Sequence, residues 1–215
     1  MDRNNCGIDK GQAGDLEGAI KDFSRAIKHD PGYAPAYINR GNAKHLLGDF
    51  KGAIEDCVHA IELDPKAAAA YNNLANAKCG LGEYGAAIKD YDTAIHLNPN
   101  DAQYYCNRGT ARFGLGDYTG AVEDCSRAIE LDPGYTDAYN NIGTAKDRMG
   151  DHKGALEYFT KAVEANPKLA RAYSNRGLVK YKMGDKNGAI GDLNTAAELG
   201  DAGAREIIKE IKMEP

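Results

Sequence analysis

The chain has 215 residues, a length that fits one or two globular domains or one elongated array of units that each touch only their neighbours. A formal charge of −5 and a pI near 5.6 provide no long-range attraction for nucleic acid or anionic membrane, so neither is an expected partner. No apolar run reaches the 18 or so residues of a membrane-spanning helix, so no direct membrane insertion is expected, and residues 1–10 lack the apolar stretch of a signal peptide. The five cysteines (Cys6, Cys57, Cys79, Cys106, Cys125) contain no C-x-x-C pair, which argues against a disulfide framework or zinc knuckle and for reduced thiols in a cytoplasmic protein.

Punctuation residues define the elements. Pro31, Pro65, Pro99, Pro133 and Pro167 are 34 residues apart, and each follows Asp or Asn. The residue before a proline is pushed out of the α region, so each dipeptide marks a helix stop and a turn. Gly14, Gly48, Gly82, Gly116, Gly150 and Gly184 run in phase with them, each followed by an acid. A glycine there ends one helix in the left-handed conformation, and the acid then lies near the positive end of the next. Each unit therefore reads helix, glycine turn, helix, Asx-Pro turn.

In chain order, the opening unit spans 1–33 and is shortened, because Met1 opens into the middle of a repeat; native residues upstream and fraying over 1–13 are expected. Its second helix carries Ala19, Ile20, Phe23, Ala26 and Ile27, and offsets of 1, 4, 7 and 8 make one apolar stripe. Units 34–67 and 68–101 repeat the stripe as Ala53, Ile54, Cys57, Ala60, Ile61 and as Ala87, Ile88, Tyr91, Ala94, Ile95. Their first helices recur as Tyr37, Gly41, Ala43 and Tyr71, Ala75, Ala77, followed by Tyr105, Gly109, Ala111 in unit 102–135 and Tyr139, Gly143, Ala145 in unit 136–169. A glycine inside a helix costs about 1 kcal/mol relative to alanine, so its recurrence points to close approach of the paired helix at Ala53, Ala87 or Ala121. The sixth unit, 170–199, replaces the closing proline with Asp201, and residues 200–213 read as a capping helix with one apolar face.

The 34-residue period, the aromatic four residues before a small residue, the alanines at 53, 87, 121, 155 and 189 and the closing proline together resemble the tetratricopeptide repeat. Asn39-Arg40-Gly41, Asn107-Arg108-Gly109 and Asn175-Arg176-Gly177 resemble the form common in bacterial arrays. The resemblance covers nearly the whole chain and implies an all-α, right-handed superhelical solenoid of stacked antiparallel helix pairs, with six repeats over 1–199 and the cap. One departure is a basic residue (Lys10, Lys44, Lys78, Arg112, Lys146, Lys180) where a large apolar one is usual; their stems are expected on the packed surface and their heads in water. Arg40, Arg108 and Arg176 each precede an aspartate (Asp56, Asp124, Asp192) by 16 residues and are read as structural ion pairs.

The same resemblance implies that first helices line a concave groove that holds a protein or peptide. One face there carries Asn39, Asn42, His45 and Leu46, then Asn73, Asn76 and Cys79, then Asn107, Thr110 and Phe113, then Asn141, Thr144 and Asp147, then Asn175, Leu178 and Tyr181. A row of carboxamides pairs with the N–H and C=O groups of an extended peptide whatever its sequence. The competing account is that these asparagines bond to neighbouring helices and shape the stack. Ile38, His45 and Phe113 give the early groove an apolar character, and Arg148, Arg171 and Lys182 a late cationic one, against the plainer reading of ordinary solvated side chains. A dicarboxylate clamp for acidic chaperone tails does not map: Ile38, Gln103 and Asn107 stand where its cations belong in one frame, Asp137 in the next, and Thr110 replaces its asparagine in a third.

Gly80, Gly82 and Gly85 spell G-x-G-x-x-G, but no strand precedes them and the segment recurs as a helix-to-helix turn. The five histidines share no ligand spacing, Cys57 and Cys125 occupy the core slot of Phe23, Tyr91 and Phe159, and no cofactor, metal or catalytic residue is expected. The expected function is a non-enzymatic interaction scaffold. The alternatives are a homo-oligomer built by end-to-end stacking of open repeats and a regulatory segment of a larger enzyme or sensor.

Overall fold

The computed structural model describes residues 3–213; Met1 and Asp2, with which the expected opening repeat begins, lie outside them. Among the described residues there are thirteen helices and no strand. The chain divides into two compact units, Met1–Leu115 and Gly116–Pro215. The first unit holds α1 (Arg3–Gln12), α2 (Leu16–His29), α3 (Ala34–Leu46), α4 (Phe50–Leu63), α5 (Ala68–Gly80), α6 (Tyr84–Leu97) and α7 (Ala102–Gly114). The second holds α8 (Tyr118–Leu131), α9 (Thr136–Arg148), α10 (His152–Ala165), α11 (Ala170–Lys182), α12 (Lys186–Glu198) and α13 (Ala204–Met213). This is the all-α fold of stacked helix pairs that the period implies.

The glycine turns are built as their chemistry dictates. Gly14, Gly48, Gly82, Gly116, Gly150 and Gly184 take φ between +78° and +86°, a region closed to most side chains. The acid that follows caps the next helix: Asp49 accepts the Gly52 N–H at 3.0 Å, and Asp15, Asp117, Asp151 and Asp185 do the same for the glycine three residues on. A Cβ on Gly52 would lie 2.3 Å from an Asp49 carboxylate oxygen, so the capping carboxylate occupies the space that a side chain at Gly52 would otherwise take. Glu83 and Ala86 stand at these places in the third pair, and Glu83 makes no side-chain cap there.

Close approach accounts for the first-helix glycines. A Cβ on Gly41 would meet Cys57 Sγ at 3.0 Å and the Ala53 carbonyl oxygen at 3.2 Å, and one on Gly177 would meet the Ala189 carbonyl oxygen at 3.1 Å. Behind them the core is a file of small residues, Ala53, Ala60, Ala75, Ala87, Ala94 and Ala155 among them, all without solvent exposure. Larger side chains fill one slot per pair: Phe23, Cys57 and Tyr91 in the first unit, Cys125, Phe159 and Leu193 in the second. Burial pushes the Cys57 thiol up to about 12, so it stays protonated and packs as an apolar group.

The basic row departs from expectation. Four of its heads find carboxylates: Lys10, Lys44, Lys78 and Lys180 each reach the aspartate 12 residues on, Asp22, Asp56, Asp90 and Asp192, at 2.5 to 2.8 Å, although the Lys10 side chain stays 43% exposed. The cause is the partner helix, which presents a nearly buried carboxylate at that register. Lys146 has Tyr158 at the corresponding position and turns instead to Asp151 at 2.9 Å. Arg40 and Arg176 add bidentate contacts to the same carboxylates: Arg40 to Asp56 at 2.6 and 2.8 Å, Arg176 to Asp192 at 2.8 Å twice. Burial alone would raise the Asp192 pKa, but hydrogen bonds from Arg176 and Lys180 outweigh it and hold the carboxyl below its usual value. Asp56 and Asp192 are only 5% and 8% exposed, so the structural ion pairs expected from the spacing of Arg40 and Arg176 have largely buried carboxylates.

At the far end α13 lays Ala204, Ile208 and Ile211 against Ala189, Leu193 and Ala196 of α12. Asp201 makes the bend: its carboxylate accepts from the Ser174 hydroxyl and from the Gly203 N–H. Proline has no such group.

Candidate groove of the first helices

In the first unit, first helices touch first helices, α1 with α3, α3 with α5 and α5 with α7; in the second, α9 touches α11. In each unit the side so formed carries its own part of the asparagine row. Asn39 donates from Nδ2 to Asn4 Oδ1 at 3.1 Å, Asn107 to Asn72 Oδ1 at 3.0 Å and Asn175 to Asn140 Oδ1 at 3.0 Å, each 35 residues back. The acceptors Asn4, Asn72 and Asn140 are buried. Asn73 donates to the Ile38 carbonyl at 3.5 Å and accepts from Asn72 Nδ2 at 3.2 Å. These bonds tie successive first helices at a fixed spacing. They leave the carboxamide oxygens of Asn39, Asn107 and Asn175 without a donor among the described residues.

A period of two units is laid over the period of one. The Asn-Arg-Gly units donate, and the intervening units, Asn4-Asn5, Asn72-Asn73 and Asn140-Asn141, accept. The arginines follow the same alternation. Arg40 reaches back to Ser24 Oγ at 3.0 Å, Arg176 to Thr160 Oγ1 at 3.5 Å and Arg108 to the Asp92 carboxylate at 2.6 Å, all 16 residues earlier. Leu74 and Ile142 occupy the arginine position in the intervening units and are buried.

The remaining candidates are distributed unevenly. Asn42 and Thr110 are exposed, and the Thr110 hydroxyl donates to the Cys106 carbonyl in its own helix. Asn76 accepts the Tyr91 hydroxyl at 2.6 Å. Ile38 is half-buried and packs with Tyr37, Ala60 and Ala70; Phe113 and Asn141 are half-buried on α7 and α9. His45 sets its ring against Phe50, 5.5 Å between centroids, and its Nδ1 is buried without a hydrogen-bond partner. Tyr181 packs against the core of the last pair. The late cationic stretch is largely neutralised: Arg171 contacts Asp137, and Lys182 reaches Asp147 at 2.5 Å, while Arg148 is exposed. The sequence reading recognised the three cations but missed the carboxylates one unit earlier, a spacing of 34 and 35 residues that was open to inspection.

A further feature lies between α1 and α3, over α2. A pocket of about 260 Å³ is lined by Ile8, Leu16, Phe23 and Leu46 and by the backbone of Gly7 and Gly11.

Models of the tetratricopeptide repeat match residues 34–67, 102–135 and 136–169, and 57–89, and a TPR-repeat model matches 12–48 and 75–116. The chain belongs to the tetratricopeptide repeat family. Among solved structures, MamA is 29% identical with a TM-score of 0.65, covering 77% of this chain and 96% of its own. YrrB, described as a TPR protein with an unusual peptide-binding site, is 25% identical with a TM-score of 0.63, covering 87% of this chain and 97% of its own. The APC/C hetero-tetramer Cut9-Hcn1 aligns over 97% of this chain and 42% of its own at a TM-score of 0.86, and at 18% identity it shows the fold alone. No curated protein matches the chain. The tetratricopeptide assignment makes the molecule a repeat scaffold of the protein-interaction type, and no helix among the described residues is long and apolar enough to cross a membrane.

Proposed function

We propose that this repeat protein is a non-enzymatic scaffold that holds an extended peptide segment of a partner protein along the side formed by the first helices of its first unit, α1, α3, α5 and α7. The observation that carries the reading is the state of the asparagine row. Asn39 and Asn107 in one unit, and Asn175 in the other, have one amide N–H tied to the preceding repeat and a carbonyl oxygen left to accept. A carboxamide fixed in this way is a preorganised acceptor for a backbone N–H, and its ordering entropy is already lost before a ligand arrives. The structural and ligand-binding readings of the row are therefore compatible. YrrB, a relative of similar length with a described peptide-binding site, supports the class of ligand.

The test is capture of partners from a cell lysate on the immobilised full chain, read by mass spectrometry against the variant Asn42→Glu/Thr110→Glu. Both positions are exposed, so the variant should keep the wild-type Tm. The expected result is loss of the captured set. Equal capture by the variant would refute binding on this side.

A further inference from the structure

We infer that the space over Gly11, between α1 and α3, is an anchor pocket for one uncharged apolar or aromatic side chain of the bound peptide. The inference rests on the groove reading and adds a specificity element to it.

The repeat supplies its own template for the pocket. The column to which Gly11 belongs is His45, Cys79, Phe113, Asp147 and Tyr181 in the later units, so every unit but the first places a side chain there. His45 fills its space against Phe50, Cys79 comes within 3.8 Å of the Tyr91 hydroxyl, and Tyr181 packs on the final core. At Gly11 the chain offers only backbone, and the volume of about 260 Å³ remains. That is below the ~300 to 1,000 Å³ of sites that enclose drug-sized molecules, and it suits a single side chain.

The walls decide what kind. Phe23 forms the floor, drawn up under Gly7 so closely that a Cβ there would lie 2.5 Å from Phe23 Cε1. Ile8, Leu16, Ala43 and Leu46 make the sides, and no lining side chain is ionisable. A charged group would lose its hydration without a counter-charge, whereas an aliphatic or aromatic group would gain from burial. Gln12, Asn39 and Asn42 stand among the lining residues as amide groups, positioned to bond the peptide backbone on either side of the anchor.

Gly11 also provides a clean probe. A Cβ on Gly11 would meet only Ala19 Cβ, at an ordinary 3.9 Å, so Gly11→Leu should fill the pocket from within without forcing the helices apart. Its Tm should equal or exceed that of the wild type, because glycine is the poorer helix former.

The experiment titrates the full chain with N-acetyl-phenylalaninamide, N-acetyl-leucinamide and, as the charged control, N-acetyl-aspartic acid amide, following the amide resonances of Gly7, Gly11 and Ala43. Saturable shifts with the first two and none with the third are expected, with binding weakened at least tenfold in Gly11→Leu and to an intermediate degree in Gly11→Ala. Absence of shifts, equal response to the charged probe, or undiminished binding by a folded Gly11→Leu would overturn the proposal; if Gly11→Leu does not fold, undiminished binding by Gly11→Ala does so. Dissociation of a dimer in Gly11→Leu, with probe binding unchanged, would assign the space to a second copy and equally overturn it. Capture of partners that survives Gly11→Leu but not Asn42→Glu/Thr110→Glu would remove the pocket and leave the groove reading standing.

Discussion

Asn175 donates its side-chain N–H to the buried carboxamide oxygen of Asn140, one repeat earlier, at 3.0 Å. Asn107 to Asn72 and Asn39 to Asn4 repeat the bond at the same separation. The row that reads in sequence as one residue type at one position thus draws on a second position: its half-buried donors Asn39, Asn107 and Asn175 bond to buried asparagines that stand one residue before the row, in alternate units.

Replacing Asn107 by alanine should destabilise the first unit by about 1 to 3 kcal/mol, because it leaves the buried Asn72 oxygen without a donor. Replacing the exposed Asn42 should change stability by less than about 0.5 kcal/mol. Urea unfolding followed by circular dichroism checks both, and equal midpoints for Asn107→Ala and wild type would refute the structural role of the row.

Arg40 joins two helix pairs through one planar group, with two bonds to Asp56 and one to Ser24. Lysine carries the charge but not the fork, so Arg40→Lys should also lose stability. The expected cost is roughly 1.5 to 3 kcal/mol for Arg40→Ala and at least half of that for Arg40→Lys, with Lys44 still on the Asp56 carboxylate. A lysine variant as stable as wild type would show that charge alone suffices there.

The helix caps give a paired comparison. Asp49→Ala removes a bond to the Gly52 N–H and should cost about 1 kcal/mol, whereas Glu83→Ala removes none and should be nearly neutral. Thermal melts of the two variants test this, and equal losses would contradict the account of Gly52 as the partner of the cap.

Much of this was legible in the chain itself. The prolines, the turn glycines and the stripes such as Ala53, Ile54, Cys57, Ala60 and Ile61 fix helix pairs, because local propensity and turn chemistry agree at every unit. The ends of the long side chains were not legible. Lys44 reads from the sequence as a stem on the packed surface with its head in water; Asp56 accepts that head only once the second helix folds back. Arg171 and Lys182 looked like a cationic patch for the same reason, their carboxylates lying one repeat away. The gap at Gly11 could be seen as a glycine in a column of larger residues, but it becomes a pocket only when α1 and α3 lie side by side over Phe23.

His45 makes stability depend on pH. Burial lowers its pKa below the ordinary 6.5, so the unfolded chain takes up the proton first as the solution is acidified. The folded state then binds fewer protons than the unfolded one, and its stability falls with pH below about 6.5 while being fully present above it. The decrease in Tm between pH 7 and pH 5 should be smaller in His45→Gln than in wild type. An identical decrease in the two proteins would show that His45 is not the group responsible.

The central claim is that the side formed by the first helices of the first unit receives a peptide. It is tested most directly by titrating a peptide derived from a captured partner into the isotope-labelled full chain and mapping the amide shifts. The account predicts changes concentrated on α1, α3 and α5, including Gly11, Asn39 and Asn42. Changes confined to α2, α4 and α6 would contradict it.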